Sequence, residues 1–138
     1  MIVVDTNVLA YLLLPGDQTE AARRTFVRDP AWAAPALWRS ELRNVLALYV
    51  RQRHLALVDA VSAQAEAEAL LAGREYAVES AAVLALADQS GRSAYDCECV
   101  AVAQALGVPL VTSDRQLLRS FPSVAVALHE YGAGAPDA

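Results

Sequence analysis

Short runs of β-branched residues alternate along the chain with longer stretches of helical periodicity. Buried strands are predicted at residues 2–4, 32–34, 76–78, 110–112 and 124–126. Helical patterns fill the segments between them, at residues 17–28, 37–53, 58–71, 82–88, 94–106 and 115–119. This alternation predicts an α/β fold, in which a parallel sheet of about five short strands is covered by helices on both faces.

Local signals predict where several helices begin and end. Asp17 is expected to cap the first predicted helix, and Gly107 is expected to end the helix that precedes the fourth strand. A capping box formed by Ser113 would leave Asp114 in the first turn of the helix that follows.

Length and apolar content predict one domain. The chain has 138 residues, of which 56% are hydrophobic, and this is enough for one core. We predict a single domain over residues 1–131 and a flexible tail over residues 132–138, which are mostly glycine, alanine and proline. The apolar runs are too short for a membrane span, and the N-terminus lacks the basic region of a signal peptide, so we expect a cytoplasmic protein.

The charge balance bears on the choice of partner. A net charge of -5 makes the chain a poor binder of nucleic acid on electrostatics alone. Carboxylates that bind a metal would account for part of this acidity, because a bound cation inverts the local charge. Cys97 and Cys99 lack a second pair at zinc spacing, and we interpret them as reduced, buried hydrophobic residues.

Four carboxylates occupy positions where an acidic residue is unexpected. Asp5 and Asp114 follow the carboxyl ends of predicted strands, which is where open parallel sheets carry their sites. Glu41 is expected to share a helix face with Leu37, Val45 and Leu48, and Asp96 one with Cys99, Val100 and Ala103. Burial of an unpaired carboxylate on such an apolar face is costly. Glu98 lies on the opposite side of its helix from Asp96 and is expected to be solvated.

Each acid also has a purely structural interpretation. Asp5 fits a helix N-cap. Glu41 fits an ion pair, for instance with Arg23 or Arg24 of the helix at residues 17–28, or the edge of its helix face, where it would reach water. Asp96 and Asp114 fit stabilisation of a helix dipole. If all four converge, they need a counter-ion, for which Mg²⁺ or Mn²⁺ is the natural choice. Such a site favours attack of a metal-activated water on a phosphodiester, with no histidine or lysine base.

Three segments resemble the motifs of PIN domains. Residues 2–9, IVVDTNVL, resemble the opening motif, and residues 35–42, PALWRSEL, the central motif that carries the glutamate. Residues 93–96, 101–103 and 109–114 resemble the closing motif. The resemblance covers nearly the whole chain and keeps the family order of acid, glutamate, acid, acid.

The resemblance implies a PIN-like α/β/α sandwich and an endoribonuclease that uses Mg²⁺ or Mn²⁺, with Asp5, Glu41, Asp96 and Asp114 as metal ligands. Single-domain members of this size resemble the VapC-type toxins of type II toxin–antitoxin pairs. That likeness implies an RNA substrate, a homodimer and a small antitoxin partner. The alternative is a non-catalytic PIN-like module that binds RNA or protein. Cys97, Glu98 and Cys99 depart from the small or aromatic residues that are commoner at these positions.

Neighbours of the four acids have two interpretations. Thr6 and Asn7 orient Asp5 by hydrogen bonds or cap a local turn, and Ser113 supports Asp114 in the same way. Arg92 and Arg115 hold an RNA phosphate or are ordinary solvated arginines.

A partner surface is also predicted. The apolar segment 8–14 and the side of the long helix that carries Trp38, Tyr49 and Leu55 form either a groove for a partner helix or part of the core or of a homodimer face.

Overall fold

A five-stranded parallel sheet forms the middle of the protein, with helices on both faces. The computed structural model describes residues 1–136. The strands are β1 (Ile2–Val4), β2 (Trp32–Pro35), β3 (Glu75–Tyr76), β4 (Leu110–Thr112) and β5 (Ala125–Ala127). The helices are α1 (Thr6–Leu13), α2 (Thr19–Arg28), α3 (Trp38–Arg51), α4 (Leu57–Leu70), α5 (Ser80–Ser90), α6 (Ala94–Leu106), α7 (Arg115–Ser120) and α8 (Leu128–Ala133). The predicted α/β/α sandwich is confirmed.

Alternation of side chains along β1 gives the sheet two apolar faces. Ile2 and Val4 belong to one core cluster, together with residues of α1, α3 and α4. Val3 belongs to the other, together with residues of α5, α6 and α7. Because both faces are buried, the strand is apolar at every position, as is typical of parallel sheets.

The strand order β3-β2-β1-β4-β5 puts a topological switch beside β1. Within the sheet, β2 lies next to one edge of β1, and β4 lies next to its opposite edge. Val4 pairs with Val111, so the carboxyl ends of β1 and β4 lie next to each other. Ligands of open parallel sheets bind in the crevice at such a point.

The element boundaries differ modestly from the prediction. β3 begins one residue earlier than expected and β5 one residue later, and α5 extends the predicted 82–88 to Ser80–Ser90. Helix α8 was not predicted, and α1 was anticipated only through the possible N-cap at Asp5, with no residue range assigned to it. Helices α1 and α8 have 8 and 6 residues, too few for a clear helical period. No helix in the described part of the chain is long and apolar enough to cross a bilayer.

The C-terminal helix corrects the start of the predicted tail. Gly132 and Ala133 belong to α8, and Gly132 is buried against α2. A Cβ atom at Gly132 would lie 2.8 Å from the carbonyl oxygen of Ala21. The glycine is therefore required by a close helix contact and does not mark a flexible segment. The last two residues of the predicted tail, 137–138, lie outside the described residues.

Two of the predicted caps are wrong. Gln18, not Asp17, precedes α2, and it makes no side-chain cap hydrogen bond. Asp114 is itself the N-cap of α7, so Ser113 does not form the predicted capping box. Gly107 ends α6 in a left-handed conformation with φ 66°, as predicted.

Candidate metal centre

Asp5 stands at the carboxyl end of β1, where it both caps α1 and faces β4. Its Oδ1 accepts a hydrogen bond from the backbone N–H of Val8 at 3.1 Å, so the predicted N-cap is confirmed. Its Oδ2 accepts a hydrogen bond from the hydroxyl of Thr112, which is fully buried at the end of β4. The Thr112 oxygen in turn accepts the backbone N–H of Asp114 at 3.0 Å. This chain of hydrogen bonds fixes the two strand ends to each other.

The environment of Asp5 disfavours its ionised form. Burial raises the pKa of this carboxyl to about 6, although the hydrogen bonds from Thr112 and Val8 oppose the shift. The negative charges of Asp114 and Asp96 raise the pKa further. The charges of Asp96 and Asp114 therefore reach Asp5 through space.

Glu41 lies in the first turn of α3 and is half-buried. Its Oε1 accepts a hydrogen bond from the hydroxyl of Thr6 at 3.1 Å. Thr6 therefore orients Glu41, and the prediction that it orients Asp5 is wrong. Burial raises the pKa of Glu41, and the nearby charges of Asp5, Glu98 and Asp96 add to the effect.

The predicted ion pair of Glu41 with an arginine of α2 is not found among the described residues. Arg23 pairs with Glu20 at 3.7 Å, and Arg24 donates to the carbonyl oxygen of Gly132 at 3.2 Å. The buried face of α3 carries Trp38, Leu42 and Leu46. The face predicted for Glu41 is therefore only partly correct, because Val45 packs against the core but Leu48 is 43% exposed. Glu41 lies beside the buried face, toward the carboxyl end of the sheet.

Asp96 and Asp114 complete the set from two further helices. Asp96 is in the first turn of α6, where its backbone N–H donates to the hydroxyl of Ser93 at 3.1 Å. Ser93 is therefore the cap, and the Asp96 carboxylate is not. The carboxylate of Asp114 caps α7, accepting the backbone N–H groups of Gln116 at 2.8 Å and Leu117 at 3.2 Å.

All four acids predicted from the sequence line one cleft of about 220 Å³ at the carboxyl ends of β1 and β4. The other residues that line it are Thr6, Asn7, Asn44, Val45, Tyr95, Cys99 and Leu117. None of these is basic. Within residues 1–136, no three acidic, histidine or cysteine side chains are already positioned to hold an ion. Metal binding at this cleft would therefore require its carboxylates to draw together.

Cys99 lines the cleft with Asp96, as expected from the helix face that they share. Sequence reasoning missed three features around the cleft. Asn44 follows Glu41 by three residues, so helical spacing would have placed it on the same face. Thr112 was assigned only to a strand, and nothing in the sequence alone marks its hydroxyl as a partner of Asp5. Glu98 was expected to be solvated, yet its Oε2 atom is buried.

Other predicted neighbours take different places. The hydroxyl of Ser113 contacts that of Tyr11 at 3.4 Å and not Asp114. Arg92 donates to the side chain of Gln116, and Arg115 is exposed; neither lines the cleft. Cys97 and Cys99 are both free thiols and buried, as predicted.

Known proteins resemble this chain in sequence and in fold. A model of the PIN domain family matches residues 2–122. Ribonuclease VapC3 from Pyrobaculum aerophilum is 30% identical over 126 residues, which span 89% of this chain and 96% of that protein.

Two solved structures share the fold. PAE2754 from Pyrobaculum aerophilum matches with a TM-score of 0.76 and 22% identity, over 96% of this chain and 93% of that one. FitAcB from Neisseria gonorrhoeae matches with a TM-score of 0.69 and 20% identity, over 93% and 98% of the two chains. The family match and the VapC3 relative confirm the resemblance seen in the three motifs: the chain belongs to the PIN domain family.

Proposed function

We propose that this protein is an endoribonuclease that hydrolyses RNA phosphodiester bonds with Mg²⁺ or Mn²⁺, and that it is the toxin of a type II toxin–antitoxin pair. The observation that carries the proposal is the convergence of Asp5, Glu41, Asp96 and Asp114 on one cleft. Similarity to a protein named ribonuclease VapC3 supports the choice of RNA as substrate.

The chemistry of the cleft fits a hard divalent cation. Its charged groups are carboxylates, and no basic side chain lines it to neutralise them. Burial, and to a smaller extent the charges of Asp114 and Asp96, raise the pKa of Asp5, so a bound cation would favour its ionised form. Mg²⁺ and Mn²⁺ prefer such oxygen donors. We propose all four acids as the residues that would hold the ion.

When bound, the cation would supply an activated water and stabilise the charge of the phosphate. The protein's own residues supply the positioning. Thr112 and the Val8 backbone fix Asp5, and Thr6 fixes Glu41. Asp114 is held by the first turn of α7. The Asp96 carboxylate, which accepts no hydrogen bond from a residue of the described chain, is free to turn toward a ligand.

Cleavage of RNA by purified protein tests this proposal. The protein should cut single-stranded RNA with Mg²⁺ or Mn²⁺ and stop in EDTA. Asp96→Asn should lose most of the activity, whereas Asp88→Asn, which changes an exposed acid of α5, should keep it. Undiminished cleavage in EDTA would exclude the metal mechanism. A metal-bound protein that cuts no RNA would favour a binding module.

The proposed partner is a small antitoxin. Val8, Leu9 and Trp38 belong to the core, which was the alternative interpretation of these residues, and they are therefore excluded from a partner groove. Leu14, Tyr49 and Leu55 do line a cleft, of about 500 Å³, between the ends of α1 and α3. Co-expression with the neighbouring reading frame should give a stable complex with suppressed cleavage. Unchanged cleavage and no complex would exclude that frame as the antitoxin.

We propose a homodimer on the basis of the resemblance to VapC-type toxins. A measurement of the molar mass in solution tests this, and it should give twice the mass of one chain. Because the proposed substrate is RNA, we expect the protein to act in the cytoplasm.

A further inference from the structure

The rim of the acid cleft differs in character from its floor. Three of the residues that line the cleft are exposed to solvent: Asn7 on α1, Asn44 on α3 and Tyr95 on α6. All three are uncharged, whereas the four acids are half-buried. The proposed metal site therefore opens to solvent between two amides and an aromatic ring.

Tyr95 is an exception among the aromatic residues of this chain. The two tryptophans, the two phenylalanines and the other four tyrosines are all buried or half-buried. Tyr95 is 65% exposed and packs against neither core cluster. A single exposed apolar side chain is common on protein surfaces and needs no explanation by itself. The position of this one, on the rim of the cleft, is what suggests a ligand.

Helix α6 holds the ring of Tyr95 beside the acids. Tyr95 lies in the first turn of α6, which is fixed by the hydrogen bond from the backbone N–H of Asp96 to the hydroxyl of Ser93 at 3.1 Å. Cys99, one turn later on the same helix face, also lines the cleft and is buried. A planar group that stacks on the ring would therefore lie next to Asp96.

The charge of the protein determines which part of an RNA this rim can bind. The net charge is -5, and no basic side chain lines the cleft, so direct contacts to phosphates add little to a bound cation. Stacking of a base on an aromatic ring does not need a positive charge. Bases inside a duplex are paired and stacked on each other, whereas unpaired bases can turn out onto an aromatic side chain.

We propose that the ring of Tyr95 stacks with an unpaired RNA base next to the phosphate that is cut, and that this contact selects single-stranded or looped RNA. The amides of Asn7 and Asn44 offer hydrogen bonds to the edge of such a nucleotide. This inference rests on the proposed function, since it assigns the RNA contact of the same site.

Steady-state cleavage with Mn²⁺ tests the proposal on a single-stranded RNA that the parent cuts. Tyr95→Ala removes the ring, and we expect it to raise KM by about tenfold or more and to change kcat less. Tyr95→Phe keeps the ring and should recover most of the loss. The matched control is Leu84→Ala, which removes a side chain of similar exposure from α5 and should leave KM unchanged.

The same RNA annealed to its complement gives a second readout. The parent should cut the duplex much more slowly than the single strand, and Tyr95→Ala should narrow this difference. Tyr95→Leu, which keeps apolar bulk without a ring, replaces the alanine variant if that variant does not fold, and it should also raise KM.

Three results would overturn this inference and leave the proposed function intact. They are a parent-like KM in a folded alanine or leucine variant of Tyr95, a loss in Tyr95→Phe as large as in Tyr95→Ala, and equal cleavage of the two RNAs by the parent. A parent that cuts no RNA with Mn²⁺ would overturn both.

Discussion

The ionisation of Asp5 should make the metal-free protein less stable at neutral pH than it is at mildly acidic pH. The pKa of Asp5 rises from 3.8 to about 6 in the folded state. Between these values the folded protein binds more protons than the unfolded chain. The stabilising contribution of the protonated group is fully present below 3.8 and is lost as the pH rises through about 6. Asp5→Asn should therefore stabilise the metal-free protein most above that pH.

The size of the effect follows from the pKa shift. A rise of the pKa from 3.8 to about 6 corresponds to about 3 kcal/mol in the free energy of unfolding. The side chain of Asp5 keeps some exposure to solvent, and solvent screening reduces this figure. Asparagine can still accept the Val8 N–H group and so preserve the cap of α1. We expect a net gain of about 1–2 kcal/mol in the free energy of unfolding.

Urea denaturation in EDTA, at about pH 7.5 and about pH 4.5, measures this gain. The asparagine variant should exceed the parent at the higher pH, and the difference should shrink at the lower one. Excess Mn²⁺ should also shrink it, because the ion stabilises the folded parent. Asp88→Asn is the control. If Asp5→Asn is less stable than the parent at the higher pH, Asp5 acts mainly as an anionic cap, and the argument that burial makes its ionised form unfavourable is wrong.

Two further variants test the packing around the site and the C-terminus. Thr112→Val should lower the free energy of unfolding by about 1–3 kcal/mol in urea denaturation, because it removes the hydroxyl that links Asp5 to β4. Thr112→Ser keeps that hydroxyl and should recover most of the loss; a stable valine variant would make the link dispensable. Gly132→Ala should cost about 1–3 kcal/mol by the same assay, since its Cβ would collide with the backbone of Ala21. Gly16→Ala should leave the free energy of unfolding unchanged, because no atom lies within 4 Å of the added carbon. If the Gly132→Ala and Gly16→Ala variants are equally stable, the close contact at Gly132 is refuted.

The sequence predicted the sheet and the acids at its edge because both follow from short-range rules. Parallel strands end at one edge, so Asp5 and Asp114 were expected to converge as soon as two strands were assigned to them. Periodicity also identified α3 and α6 as the helices that carry Glu41 and Asp96. The end of a strand and the period of a helix are both properties of one element, so the sequence of that element is enough to predict them.

The errors concern what packs against an element. Helical spacing gave the direction of Glu98 but not the neighbours that enclose its oxygen. The apolar face of α3 was partly misassigned because its buried face includes Trp38 and excludes Leu48, which is 43% exposed. Gly132 looked like part of a tail because a glycine required by tertiary contact has the same local signature as a flexible one.

Anomalous scattering from crystals soaked in Mn²⁺ tests the central claim most directly, because it shows where the ion binds. We predict a peak in the cleft at about 2.1 Å from carboxylate oxygens of Asp5 and Asp96, and its loss in crystals of Asp96→Asn. A cleft without a peak in crystals of a protein that still cleaves RNA would contradict the claim, as would a Mn²⁺ peak only at another place.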